Sequence, residues 1–138
     1  MAVTLRDFMT MEDVLTISAS ETLGSAARLM RGRNVGAAVV VEDGRVVGIF
    51  TERDLLRAIA DSRHPDHGQV QSYMTADPIT LPSDHPPSEA ARIMTERRFR
   101  HIPVVDGDEL VGIVSIRDLV SAGMQMPSDD AHVGSDFP

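Results

Sequence analysis

Apolar and polar positions along this chain follow two different periods, which predict a series of short strands and helices. After a lead-in of residues 1–13, the apolar residues 14–17 are typical of a short strand. Thr22 then provides an N-cap for a helix that the pattern ends near residues 33–34. The apolar side chains of this helix recur at the spacing of one face: Leu23, Ala26, Ala27 and Met30.

A hairpin and a second helix are predicted next. The valine-rich residues 36–41 are typical of a strand that is buried on both faces. Asp43-Gly44 is a strong two-residue hairpin signal, so the chain is expected to return as a strand over residues 45–50. A helix then follows from residue 51 to about residue 60. Its apolar side chains available for burial are Leu55, Leu56 and Ile59.

The whole succession is repeated after a break at residues 61–71, which lack apolar periodicity. Residues 78–81 echo the first strand, a hairpin turns around Asp106-Gly107, and a last helix spans residues 115–122. The first helix face returns 64 positions later as Pro87, Ala90, Ala91 and Met94. The sequence therefore predicts an α/β (α+β) fold of two pseudo-twofold β-α-β-β-α repeats. We assign residues 1–62 to the first repeat, 63–73 to a linker, 74–124 to the second repeat and 125–138 to a disordered tail.

Composition limits the classes of function. The 138 residues, 42% of them hydrophobic, suffice for two halves that share one core. A net charge of −8 argues against a general nucleic-acid or anionic-membrane surface. The absence of cysteine excludes disulfides and thiolate chemistry, and the apolar residues 35–41 are too few to cross a bilayer. Since no signal peptide is visible either, we expect a soluble, cytoplasmic protein.

One motif occurs in both halves and contains the candidate chemistry. Residues 48–55 read Gly-Ile-Phe-Thr-Glu-Arg-Asp-Leu, and residues 112–119 read Gly-Ile-Val-Ser-Ile-Arg-Asp-Leu. In each copy a strand ends at a hydroxyl residue and an acid follows three positions later, where a helix begins. Such a helix N-terminus attracts anions, which would indicate two related ligand sites. The same spacing also fits a capping box, in which the acid only returns a hydrogen bond to the N-cap.

These motifs, together with residues 100–106 (Arg-His-Ile-Pro-Val-Val-Asp), resemble the cystathionine-β-synthase-type (CBS) domain pair, or Bateman module. The resemblance covers nearly all of residues 9–123. It implies a regulatory module that binds an adenosine-containing ligand in the cleft between two repeats. The ligands it implies are AMP, ADP, ATP and sometimes S-adenosylmethionine. Members of this family usually regulate a linked enzyme, channel or transporter and seldom catalyse a reaction.

The resemblance also implies a role for each site residue. Asp54 and Asp118 would accept hydrogen bonds from the ribose hydroxyls, and Thr51 and Ser115 would reach ribose or phosphate. Arg53 and Arg117 would neutralise phosphate. The adenine beside Asp54 would lie among Pro78, Ile79, Thr80, His101, Ile102 and Pro103. The adenine beside Asp118 would lie among Val14, Leu15, Thr16, Gly36, Ala37 and Ala38.

We expect the Asp54 site to be the main one, because Arg100 and His101 align with Gly36 and Ala37 of the first half. The expected function is that of a stand-alone sensor that binds AMP, ADP or ATP without catalysis, needs no metal and regulates an unknown protein. A homodimer is expected through the apolar face of the first helix, with no nucleic-acid or membrane partner. The alternative is a dimerising interaction scaffold with a degenerate or empty cleft.

His64 and His67 invite a metal-site interpretation, but Pro65 disfavours a shared helical face and no third ligand is evident. A solvated linker explains them better. The methionines at 30 and 94 repeat on an apolar face and are interpreted as core residues.

Overall fold

The computed structural model describes residues 3–9, 14–121 and 123, so the predicted tail at 125–138 lies outside the described residues. Its mixed α/β architecture with two repeats confirms the predicted fold class. The elements of the first repeat are β1 (Thr16–Ile17), α1 (Leu23–Arg33), β2 (Ala37–Glu42), β3 (Arg45–Thr51) and α2 (Glu52–Ala60). They are followed by β4 (Thr75–Ala76), α3 (Pro87–Arg97), β5 (His101–Asp106), β6 (Glu109–Ser115) and α4 (Ile116–Ser121). Short 3-10 turns lie at Leu5–Asp7 and Val70–Ser72.

The described residues 14–78 form one compact unit around a four-stranded sheet in the order β1-β2-β3-β4. β1 runs parallel to β2, and β2 and β3 form the predicted hairpin. Asp43 and Gly44 close that hairpin with φ values of 52° and 78°, the left-handed geometry that an Asp-Gly pair adopts readily. Gly48 lets β4 approach β3, since a Cβ there would lie 3.1 Å from the carbonyl oxygen of Thr75.

The second compact unit groups the described residues 3–9 with residues 79–121 and 123. The predicted strand at residues 78–81 is wrong, because only Leu81 forms a parallel bridge, to Val104 of β5. Pro78 and Pro82 bracket this segment and lack the N–H groups that a longer ladder would need. The β5–β6 hairpin and helix α3 form as predicted, and Pro87 occupies the first position of α3.

The predicted repeats span residues 1–62 and 74–124. Each observed unit also includes a 3-10 turn that lies outside its predicted repeat. In the second unit, the Leu5 N–H donates to the His85 carbonyl (2.9 Å), and Leu5 is fully buried. In the first unit, the Val70 N–H donates to the Glu21 carbonyl (2.9 Å), and Val70 is also fully buried. The end of the predicted linker 63–73 is therefore packed structure, because its apolar residues complete the core of the first unit.

Two expectations about helix faces are wrong. Leu56 and Ile59 of α2 are 69% and 58% exposed, because α2 turns Asp54 and Ala58 inward instead. The α1 face is not free for a partner either. Leu23, Ala26 and Met30 are buried in the core of their own unit, and Ala27 is half-buried. The apolar face that suggested a dimer is thus used within one unit.

Candidate ligand site at two strand-to-helix junctions

Thr51 ends β3 and is the N-cap of α2, so the first junction follows directly from the sequence motif. Its N–H donates to Asp54 Oδ2 (2.9 Å), and the Asp54 N–H donates to Thr51 Oγ1 (3.4 Å). These two bonds form the capping box that the spacing predicted. The Glu52 N–H donates to the Gly36 carbonyl (3.0 Å). Most N–H groups of this first turn therefore already have partners, which leaves less backbone to receive an anion than an uncapped helix would offer.

Asp54 is the buried acid of this junction, with only 6% of its surface exposed. Besides the Thr51 N–H, its Oδ2 accepts the Thr51 hydroxyl (3.2 Å), and its Oδ1 accepts Arg57 Nη1 (3.0 Å). Burial raises the pKa of Asp54 above its ordinary value, while the Thr51 hydrogen bonds and the Arg57 charge act in the opposite direction. The carboxylate is thus fixed in orientation, and its neighbours offset part of the effect of its burial.

Arg57 belongs to a layer of contacts that the sequence interpretation missed. Its guanidinium lies over the ring of Tyr73, 5.7 Å from the centroid. The Tyr73 hydroxyl donates to Asp61 Oδ2 (2.9 Å) and accepts from Arg63 Nε (3.2 Å). The i,i+3 spacing of Asp54 and Arg57 on a predicted helix was a usable signal for the first contact. The contact with Tyr73 is visible only in the tertiary structure.

The second junction has the same backbone geometry with fewer side-chain contacts. The Ser115 N–H donates to Asp118 Oδ2 (2.8 Å), and the Asp118 N–H donates to Ser115 Oγ (3.0 Å). The Ile116 N–H donates to the Arg100 carbonyl (2.8 Å), the counterpart of the Glu52–Gly36 bond. Asp118 is half-buried, and the position that corresponds to Arg57 is Ser121. The two junctions therefore differ mainly in how deeply the acid is buried and in which groups surround it.

His101 lies beside the second junction in its own unit, because it pairs with Ser115 across β5 and β6. Burial and the charge of Arg100 lower the pKa of His101 to about 4, although Asp118 acts in the opposite direction. The imidazole is therefore neutral at pH 7. His101 therefore brings no positive charge to a ligand phosphate at pH 7, which weakens one of the two reasons given for expecting the Asp54 site to be the main one.

The other predicted site residues differ in how much surface they present. Ile102 is fully buried in the core of its unit, so it presents no surface to a ligand. Ala37 pairs with Thr51 across β2 and β3 and so belongs to the first junction. The buried residues of the remaining set are Leu15 and Pro103, the half-buried ones are Val14, Pro78 and Ile79, and the exposed ones are Thr16, Arg53, Thr80 and Arg117. The adenine contacts assigned to these residues remain predictions.

Within residues 3–9, 14–121 and 123, no group of three or more His, Cys, Asp or Glu side chains could hold a metal ion. His64 and His67 contact each other with ring centroids 4.8 Å apart, and His64 Nδ1 accepts the Asp66 N–H. In the same described residues, no helix is both long and apolar enough to cross a membrane.

Comparison with known proteins identifies the class. The CBS domain family model matches the chain twice, at residues 5–61 and 70–125. The chain therefore belongs to the CBS domain family and contains two CBS domains, which generally act as regulatory modules.

Two relatives illustrate the range of lengths in this family. The CBS domain-containing protein YhcV of Bacillus subtilis is 37% identical over 130 residues, which are 92% of this chain and 89% of YhcV. A 17.7 kDa protein of Acidianus ambivalens is 40% identical over 111 residues, or 79% of this chain. The aligned residues span only 66% of that relative, so it is longer than the region shared with this chain.

Two solved structures of similar proteins provide information on ligands and on assembly. The CBS domain pair of protein MJ0100, in complex with 5′-methylthioadenosine and S-adenosyl-L-methionine, has a TM-score of 0.81 and 25% identity. That alignment covers 88% of this chain and 96% of MJ0100's. The hexameric CBS-CP12 protein from bloom-forming cyanobacteria has a TM-score of 0.82 and 26% identity, covering 89% of this chain and 73% of that one.

Proposed function

We propose that this protein is a regulatory module that binds an adenine nucleotide (AMP, ADP or ATP) through Asp54, without catalysis. The observation that carries the proposal is the buried Asp54 carboxylate, fixed at a strand-to-helix junction with part of its acceptor capacity unused. The adenosine-containing ligands of the MJ0100 pair support the ligand class. Asp118 and Ser115 form a second, weaker candidate site.

The number of acceptors on Asp54 determines how a ribose could bind. An ionised carboxylate offers about four lone-pair positions. Asp54 receives the Thr51 N–H, the Thr51 hydroxyl and Arg57, so about one position remains. Two ribose hydroxyls need two positions. If the Thr51 O–H turned away from Asp54, a second acceptor position on the carboxylate would become free. The capping box would stay closed, because the backbone N–H of Thr51 would keep its hydrogen bond to Asp54.

The charges near the first junction favour recognition of the nucleoside over the phosphate. The N–H groups of Thr51, Glu52 and Asp54 have partners within the junction. Arg53 is exposed beside Asp54, whereas the guanidinium of Arg57 is already paired with the Asp54 carboxylate. We therefore propose that ribose and adenine provide most of the affinity, with phosphate contributing a smaller, salt-dependent part through Arg53.

Titration calorimetry with adenosine, AMP, ADP, ATP, 5′-methylthioadenosine and S-adenosylmethionine tests this function. We expect saturable binding of at least one nucleotide and measurable binding of adenosine itself. Guanosine monophosphate provides the control for the base. If none of the adenosine compounds produces saturable heat at millimolar concentration, the proposal fails and the interaction scaffold becomes the better account.

Self-association is part of the proposal. The hexameric relative shows that a protein of this fold can assemble, and Leu56 and Ile59 leave aliphatic surface exposed on α2. We propose a homodimer that uses α2 in place of the buried α1 face. That this module regulates another protein, and that the module is cytoplasmic, remain predictions.

A further inference from the structure

We infer that Arg57 is a positioning residue that keeps the buried Asp54 carboxylate oriented as a hydrogen-bond acceptor, and that its presence in one repeat alone makes that repeat the preferred site. This inference rests on the proposed function for the ligand that Asp54 would bind. Arg57 itself is not required to contact that ligand.

The geometry gives Arg57 control over one oxygen of the acid. Asp54 and Arg57 lie three residues apart on α2, a spacing that brings side chains together on one helix face. Arg57 Nη1 contacts Oδ1 at 3.0 Å, while Thr51 occupies Oδ2. The carboxylate is thus held from two sides, and Oδ1 keeps the unused acceptor position.

Tyr73 provides the surface that holds Arg57 in place. The side chain of Arg57 is 56% exposed, so packing alone does not fix it. The Tyr73 ring below it is 7% exposed and is fixed through its hydroxyl by Asp61 and Arg63. A planar guanidinium stacks on such a ring better than a lysine ammonium does. A fixed cation is more effective than a mobile one because less conformational entropy is lost when it binds the acid.

The charge of Arg57 opposes the burial of Asp54. Burial raises the pKa of Asp54, and Arg57 is the charged side chain that contacts it. The other charged groups nearby are Glu52 beside Gly36, exposed Arg53, and the Asp61–Arg63 pair around Tyr73. A protonated carboxyl has fewer lone pairs to offer two ribose hydroxyls. Arg57 therefore widens the pH range in which Asp54 can bind a ribose.

The second unit provides a natural comparison. Its acid, Asp118, has the same capping bonds but Ser121 in place of Arg57. The residue that aligns with Tyr73 is Phe8. Because Phe8 has no hydroxyl, its ring cannot be fixed by hydrogen bonds to an acid and an arginine. Arg57 and Tyr73 therefore both belong to the first unit and have no equivalent in the second, and this difference would direct a single ligand to the first junction.

The test measures the titration of the Asp54 carboxyl carbon by NMR in the ligand-free protein. We expect Arg57→Ser to move the Asp54 midpoint to higher pH, and Arg57→Lys to lie between Arg57→Ser and the wild type. Arg92→Ser is the matched control, because it removes another exposed arginine from an ion pair on a helix. An Asp54 midpoint that is unchanged in Arg57→Ser, or a lysine variant that behaves like serine, would overturn the inference.

A second arm measures AMP affinity against pH in the same variants. Affinity should fall as pH falls through the Asp54 midpoint, and the fall should begin at higher pH in Arg57→Ser. Each pH unit of displacement corresponds to about a tenfold loss of affinity below both midpoints. If the NMR midpoint moves but AMP does not bind the wild type, the proposed function fails while the role of Arg57 stands. If AMP binds and the two pH profiles coincide, the inference fails while the function stands.

Discussion

The backbone N–H of Thr51 donates to the carboxylate of Asp54 at 2.9 Å, and the Asp54 N–H returns to the Thr51 hydroxyl at 3.4 Å. This reciprocal pair closes the start of α2. The same carboxylate is the proposed ribose acceptor. Helix capping and ligand binding therefore share one side chain, and substitutions at the two residues should affect stability and affinity differently.

Thr51→Ala should reduce the free energy of unfolding by about 0.5–2 kcal/mol, because it removes the hydroxyl that caps the Asp54 N–H. Urea unfolding followed by circular dichroism measures this change. Ser115→Ala is the matched variant and should have a comparable cost, because the Ser115 hydroxyl caps the Asp118 N–H in the same way. Equal stability of Thr51→Ala and the wild type would mean that the capping box contributes nothing.

His101 should make stability fall in mild acid. Its pKa is about 4 in the folded protein against 6.5 for the ordinary group, so the unfolded chain binds the proton more readily. The stabilisation from a neutral His101 is complete above pH 6.5 and is lost as pH falls toward 4. It amounts to at most about 3 kcal/mol.

Urea unfolding of the wild type and His101→Gln at pH 7.5 and pH 4.5 checks this expectation. Glutamine does not titrate here, so the wild type should lose more stability than the variant between the two pH values. A stability difference that is independent of pH would show that His101 titrates normally.

Leu5→Ala should destabilise the second unit by about 2–5 kcal/mol, although Leu5 is remote in sequence from the rest of that unit. The reason is that Leu5 is fully buried among residues 81–119 of the core. Val3→Ala is the control, since Val3 is 51% exposed and should change stability by less than about 0.5 kcal/mol. Similar thermal unfolding midpoints for both variants would contradict the packing of residues 3–9 in this unit.

Self-association should depend on α2. We expect a mass twice the 15.0 kDa of one chain in light scattering, and a shift to monomer in the double variant Leu56→Glu/Ile59→Glu. Leu29→Glu, at a residue 40% exposed on α1, is the control and should remain dimeric. A wild type that is monomeric at tens of micromolar would contradict the proposed dimer.

The sequence was sufficient to predict local features because each has a short-range cause. Thr22 caps α1 through the Ser25 N–H, and Asn34 ends that helix in a left-handed conformation. Asp43-Gly44 produced the predicted hairpin. The capping-box reading of Thr51 and Asp54 was also available from spacing alone and is present in the structure.

Features that depend on tertiary packing were not predictable in the same way. Periodicity shows that α2 has an apolar face but does not show that Asp54 turns inward while Leu56 remains exposed. The docking of Leu5 onto the second unit joins residues about 80 positions apart. The Arg57–Tyr73 contact likewise joins a helix to a segment that had been interpreted as a linker.

The most direct test of the central claim compares AMP with 2′,3′-dideoxy-AMP on the wild type and on Asp54→Ala, by titration calorimetry. Removal of two charge-assisted hydrogen bonds, partly compensated by water, should cost about 2–3 kcal/mol, or roughly 30- to 150-fold in AMP affinity. The wild type should bind the dideoxy compound much more weakly than AMP, whereas Asp54→Ala should hardly distinguish the two. Asp118→Ala is the matched control and should retain most of the AMP affinity. If Asp54→Ala is less stable yet binds AMP normally, Asp54 is only a capping residue and the account is contradicted.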